Sequence, residues 1–263
     1  MKPADLDAGI ALACLDLTSL NDHDDAAAMQ ALCAQAIGPA GRGWPAAVCV
    51  WPSFVAQCRA ALPAAIRVAA VANFPAGALD LSLALRDTAT ILDAGGDEVD
   101  LVLPWRAMRA GDPVGAAALV AAVRSASVGK TLKLIIESGE LHSTEIDTAC
   151  AIGLDAGVDF LKTSTGKTAR GASAEAAGQM LGCIAGHRRR DEVGFKASGG
   201  VRKVADASVY IALLRQALGD GAVGPARLRF GASGLLGDIE AVLGLNLETA
   251  VDRYAPLAGS CDY

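Results

Sequence analysis

Short apolar runs alternate along this chain with longer, alanine-rich stretches in which apolar residues return every three or four positions. Eight short runs are found, at 11–16, 47–51, 67–73, 98–103, 132–137, 160–163, 193–196 and 229–231. Each is too short for a helix and nearly continuous in its hydrophobicity, as a strand covered on both faces of a parallel sheet should be. Between them, Met29, Leu32, Cys33, Ala36 and Ile37 form one helical stripe, with Asp22 as its N-cap and Gly38 as its stop. Val204, Ala207, Ile211, Leu214 and Leu218 form another, which spacings of three and four keep on one face.

Eight βα units predict an α/β fold: a single (β/α)8 TIM barrel over residues 1–263, with a short extra N-terminal helix and a mobile C-terminal tail. An open doubly wound sheet uses the same alternation, and the count of eight favours the barrel. In a barrel the chemistry gathers at the C-terminal ends of the strands, so the polar residues just past each apolar run carry the most weight.

Composition narrows the partners. A formal net charge of −6 argues against nucleic acid or an anionic membrane as the target. Seven cysteines (Cys14, Cys33, Cys49, Cys58, Cys150, Cys183, Cys261) form no C-x-x-C pair, which speaks against a disulfide framework or zinc ribbon and for a reducing cytoplasm. No apolar run reaches the roughly 18 residues of a membrane span, and no export signal is expected. His23, His142 and His187 lie far apart and lack metal-ligand spacing, so no metal site is expected.

Two lysines end successive apolar runs, Lys162 and Lys196. Neighbouring parallel strands lie about 4.8 Å apart, so inward-facing lysines at matching heights repel each other and one pKa falls. An ordinary lysine is about 0.04% neutral at pH 7, whereas one lowered to a pKa of about 7 is half neutral, a roughly thousandfold gain in nucleophile worth ~4.6 kcal/mol. A neutral amine adds to a carbonyl, and the resulting Schiff base is an electron sink for carbon–carbon cleavage. The bland alternative is a lysine that snorkels to the rim or pairs with a carboxylate.

Asp100 follows Glu98 by two residues, so strand alternation can point it into the barrel. There it is either a proton carrier between the lysines or the counter-ion of Lys133 or Lys196. Asp16 carries the same ambiguity, with a substrate hydroxyl as its functional partner. Cys49 reads first as a small core residue that could border the substrate. Trp51, Phe54 and Phe74 are packing residues by default. Two glycine turns, Ser198-Gly199-Gly200 and Gly231-Ala232-Ser233-Gly234, each precede a helical pattern after the last two strands, where barrels often hold a phosphate on backbone amides. Lys167 and Arg202 add positive charge at that rim.

These residues resemble the deoxyribose-phosphate aldolase family from about Ala11 to Tyr263. The likeness rests on Leu15-Asp16-Leu17-Thr18, Asp97-Glu98-Val99-Asp100, Phe160 to Lys167 (FLKTSTGK), Gly194 to Arg202 (GFKASGGVR) and Arg229-Phe230-Gly231-Ala232-Ser233. It implies reversible, metal- and cofactor-free cleavage of 2-deoxy-D-ribose 5-phosphate into acetaldehyde and D-glyceraldehyde 3-phosphate, in nucleoside breakdown, by a monomer or homodimer. By the same likeness Lys162 forms the Schiff base, Lys196 perturbs it and assists proton transfer, and Asp100 moves protons through a water. Asp16, Thr18 and Thr165 lie by the substrate. Gly166, Lys167, Gly199, Gly200, Gly231 and Ser233 approach the phosphate, with Arg202 as a supplement. Tyr263 resembles a tail tyrosine that assists proton exchange at the nucleophilic carbon. Gly234 stands where some relatives carry a second serine, which removes one hydroxyl donor but leaves backbone donation. The rival readings are a phosphosugar isomerase or epimerase, with Lys162 and Asp100 in acid–base roles, and a sugar-phosphate-binding protein without turnover.

Overall fold

The structure is a computed structural model that describes residues 3–245. The proposed mobile tail, with Cys261 and Tyr263, lies outside the described residues. Eight parallel strands close into a barrel in sequence order: β1 (Leu15–Thr18), β2 (Ala47–Val50), β3 (Arg67–Ala72), β4 (Glu98–Val102), β5 (Thr131–Ile135), β6 (Phe160–Lys162), β7 (Gly194–Ser198) and β8 (Leu228–Ala232). The helices are α1 (Pro3–Ala13), α2 (Ala26–Ile37), α3 (Val55–Ala61), α4 (Leu81–Asp93), α5 (Trp105–Arg109), α6 (Pro113–Ala126), α7 (Ser143–Ala156), α8 (Ala174–Gly186), α9 (Val204–Leu218) and α10 (Leu235–Val242). None of them is long and apolar enough to cross a membrane.

The predicted run at 11–16 is corrected at its start. Residues up to Ala13 finish α1, the extra N-terminal helix, and β1 begins at Leu15; alanine lacks the branched side chain that favours a pleated surface. The N-cap of α2 is Asp25, not Asp22: its carboxylate accepts from the Ala28 amide at 2.8 Å. Met29, Leu32, Cys33 and Ala36 are buried as expected, whereas Ile37 is exposed at the end of the helix.

Strand alternation divides the buried residues into two sets. Val99, Leu101, Leu161, Phe195, Ala197, Leu228 and Phe230 point outward and join the main core beneath the helices. Cys49, Ala69 and Val71 form a separate interior patch with Leu20, against which Trp51 and Phe74 pack. Further inward positions include Asp16, Glu98, Asp100, Lys133, Lys162, Lys196 and Arg229, all buried. Barrels ordinarily fill this space with branched aliphatic residues; here most of it is ionic.

Candidate active site

The register puts charged residues side by side. Asp100 on β4 is level with Lys133 on β5, and Lys162 on β6 is level with Lys196 on β7 and through it with Arg229 on β8. Asp100 sits at the centre. Its Oδ2 accepts from the Lys162 and Lys196 ammonium groups, both at 2.7 Å, and its Oδ1 from Lys133 at 2.8 Å. Lys196 also donates to Asp16 Oδ2 at 2.5 Å. Lys133 reaches Glu98 Oε2 at 2.5 Å, and Arg229 closes the lower layer with 2.7 Å to Asp16 Oδ1 and 2.9 Å to Glu98 Oε1. Room for Lys196 comes from Gly231, where an added Cβ would lie 3.0 Å from the lysine Cε.

Four cations, Lys133, Lys162, Lys196 and Arg229, thus share the interior with three carboxylates, Asp16, Glu98 and Asp100. A dry cluster disfavours the one unbalanced charge, and Lys162 is where it is relieved. Burial lowers the Lys162 pKa below its usual 10.5 and repulsion from Lys196 lowers it further, with Asp100 opposing both without restoring it. Burial also pulls on Lys196 and Lys133, but the carboxylates outweigh it, so both are held above the usual value: Lys196 by Asp100 and Asp16, Lys133 by Asp100, Asp16 and Glu98. Burial pushes the Asp100 carboxyl up, while Lys133, Lys162 and Lys196 together bring it well below 3.8.

Above this cluster opens a cavity of about 610 Å³. Lys162 lies at its edge, with Thr18 from the end of β1 and the turns that follow β6, β7 and β8. Of the residues singled out from the sequence, Thr18, Lys162, Thr165, Gly166, Lys167, Gly199, Gly200, Arg202, Gly231, Ser233 and Gly234 all line it. Ser198, Val201 and Ala232, which belong to the glycine-turn motifs, line it as well, together with Leu20 and Asn21, which nothing in their local pattern marks. Asp16, Asp100, Lys196 and Cys49 do not reach the wall. Asp16 and Cys49, expected near the substrate, lie beneath the cavity lining: Asp16 is enclosed by Lys133, Lys196 and Arg229, and the Cys49 thiol faces Asp100 at 3.8 Å.

The β6 and β7 turns are stapled together. The Ser198 carbonyl accepts from the hydroxyls of Thr163 (2.9 Å) and Ser164 (2.7 Å), and the Ser198 hydroxyl donates to the Ser164 carbonyl at 2.6 Å. Gly199 has φ 84°, and a Cβ there would lie 2.6 Å from Ser164 Oγ and 2.8 Å from Gly171 Cα, so only glycine fits this crossing. Helix α10 starts just past Ser233 with Gly234 as its N-cap, which directs its free amides and the positive end of its dipole toward this side of the cavity. Lys167 Nζ is 3.6 Å from Asp22 Oδ1 at the rim. The wall on the β6–β8 side is therefore built for an anion, whereas the β1–β3 side holds the apolar patch around Leu20. Among the described residues no three His, Cys, Asp or Glu side chains are arranged to hold a metal ion.

The arrangement defines a (β/α)8 barrel enzyme with a buried, amine-bearing floor and an anion-holding wall. A family model described as DeoC/LacD family aldolase matches residues 10–235, and the chain belongs to that family, which makes it a carbon–carbon lyase. It is 42% identical over 240 residues to a deoxyribose-phosphate aldolase of Agrobacterium fabrum, covering 90% of this chain and 91% of the relative. A solved Coccidioides immitis protein described as a candidate deoxyribose-phosphate aldolase shares 27% identity at a TM-score of 0.75, over 88% of this chain and 85% of that one. The fold alone is shared with a similarly described Toxoplasma gondii protein, 24% identical at a TM-score of 0.82 over 91% and 95% of the two chains.

Proposed function

We propose that this aldolase reversibly cleaves 2-deoxy-D-ribose 5-phosphate to acetaldehyde and D-glyceraldehyde 3-phosphate through a Schiff base on Lys162. The observation that carries this reading is the Lys162 amine, held below its usual pKa at the edge of a cavity whose β6–β8 wall is glycine-rich and cationic. The amine adds to C1 of the open-chain sugar and water leaves, giving an iminium ion. Asp100, through a water, takes the proton of the C3 hydroxyl while the C2–C3 bond breaks and its electrons flow to the iminium. Glyceraldehyde 3-phosphate departs, the enamine carbon takes a proton from the Lys196–Asp100 pair, and hydrolysis releases acetaldehyde and the free amine. Gly166, Gly199, Gly200, Gly231, Ser233 and Gly234 would hold the phosphate on their backbones, with Lys167 and Arg202 adding charge. The role in nucleoside breakdown and a cytoplasmic setting belong to the same proposal; the free cysteines Cys14, Cys33, Cys49, Cys58, Cys150 and Cys183 support the latter.

Borohydride reduction in the presence of acetaldehyde tests the covalent step. Intact mass should show one N-ethyl group on the wild type and none on Lys162→Ala; no adduct on either would sink the mechanism and promote an acid–base isomerase.

The same trapping, followed against pH, checks the tuning of Lys162. Its rate should rise through an apparent pKa below 10.5, because the folded protein releases this proton earlier than a free lysine. In Lys196→Met a repelling cation is gone and Asp100 has fewer partners, so both changes favour the charged amine. The midpoint is expected to move upward, and an unmoved midpoint would remove Lys196 from this role.

A further inference from the structure

Glu137 follows β5 and has no part in the cluster below it. Its side chain is fully buried, and among the described residues it has no cationic partner. Its backbone is left-handed, at φ 57° and ψ 50°, one of two non-glycine residues with positive φ among the described residues. A buried carboxylate without a cation and a left-handed backbone are both unfavourable, and such features persist where surrounding structure makes use of them. Both oxygens of Glu137 serve one turn. Oε2 accepts from the Thr165 hydroxyl at 2.6 Å, and Oε1 from the Thr165 amide at 3.1 Å and from the Thr168 hydroxyl at 3.3 Å, which it shares with the Arg170 carbonyl at 3.1 Å. The Thr165 hydroxyl oxygen in turn accepts from the Lys167 amide at 3.0 Å. Hydrogen bonds to a carboxylate are short and strong, so this chain fixes the turn Thr165-Gly166-Lys167, all of which faces the cavity. It also fixes the Thr165 hydroxyl: with its hydrogen committed to Glu137, Thr165 can only accept from a ligand.

We propose that Glu137 is a positioning residue for the anionic end of the substrate: it never touches the ligand, but sets the Thr165–Lys167 turn that does. The proposal rests on the phosphosugar reading above. It separates Glu137 from Asp100 and Lys196, which serve the amine. A defect at Glu137 must therefore appear in affinity for the phosphorylated end and leave Schiff-base formation intact.

The test is Glu137→Gln, which keeps the shape but turns one acceptor into a donor facing a donor. Thr168→Val, at a partly exposed site, loses one of the three bonds to Glu137 together with the hydroxyl's bond to the Arg170 carbonyl at 3.1 Å, and is the milder companion. For each, KM and kcat are measured with 2-deoxyribose 5-phosphate and with unphosphorylated 2-deoxyribose, alongside acetaldehyde trapping on Lys162. We expect KM for the phosphorylated sugar to rise at least tenfold in Glu137→Gln and two- to fourfold in Thr168→Val. Turnover of the unphosphorylated sugar and the trapping rate should stay within twofold of wild type. Equal losses on both sugars, or a preserved preference for phosphate in both variants, would overturn the proposal. If Glu137→Gln does not fold, Thr168→Val decides alone by the same criteria. A wild type that traps acetaldehyde but shows no preference for the phosphorylated sugar overturns the phosphosugar reading, and this proposal with it.

Discussion

Lys162→Met is expected to reduce turnover on the order of 10⁵-fold, because the nucleophile that divides the reaction into two easier steps is gone. The same variant should be at least as stable as the wild type. Methionine keeps most of the stem volume, and its loss of charge leaves Lys133, Lys196 and Arg229 matched by Asp16, Glu98 and Asp100. A lysine whose pKa is lowered on folding works against the folded state wherever the unfolded chain holds its proton and the native one does not. Steady-state kinetics and thermal melting of one preparation check both halves. An active variant would remove Lys162 from the chemistry, and a large loss of stability would show that it serves the fold as an ordinary ion-pair partner.

Arg229→Met should have the opposite signature. Arg229 lies in the lower layer of the barrel, outside the lining of the active-site cavity, but its guanidinium is bonded to both Asp16 and Glu98. Taking it away leaves buried carboxylates short of a partner, an effect of about 3–5 kcal/mol and a fall in Tm on the order of 10 °C for a chain of this size. Differential scanning calorimetry measures it. A fall of only a degree or two would mean that Lys133 and Lys196 suffice to hold both acids.

The contrast between these variants also marks what the sequence reveals and what it conceals. The eight strands are legible because parallel strands covered on both faces leave continuous apolar runs; the alanine-rich start at Ala11 and the end of the fifth run at Glu137 mislead. Lys162 and Lys196 are legible because they close two successive runs and fall level across β6 and β7. Arg229 is not, since its partners are 131 and 213 residues away and a strand-opening arginine has no local signature. Lys133 is legible as one of two possible partners of Asp100, and that pair is present; Glu98 stands at an inward alternation position, the one signal that could have found it, and without the register it could as well face a loop. Glu137 reads from sequence as the end of a strand, because a left-handed backbone at a non-glycine residue leaves no trace in the pattern of apolar positions. Cys49 and Asp16 illustrate depth: alternation gives the direction of a side chain, not whether larger neighbours stand between it and the cavity.

The interior charges also have an order along the chain. Every acid of the cluster comes from the first four strands, Asp16 on β1 and Glu98 and Asp100 on β4; every cation comes from the last four, Lys133 on β5, Lys162 on β6, Lys196 on β7 and Arg229 on β8. Neither half can close dry around charges of a single sign. The amino-terminal half-barrel is a template of anions awaiting its counterpart, and the carboxy-terminal half is the counterpart. Any folding intermediate with one half formed must keep its lumen wet until the β4–β5 and β8–β1 seams meet. Closure of the barrel is then the step that pairs the two sets of charges, and neither seam can be left open without stranding buried ions of one sign.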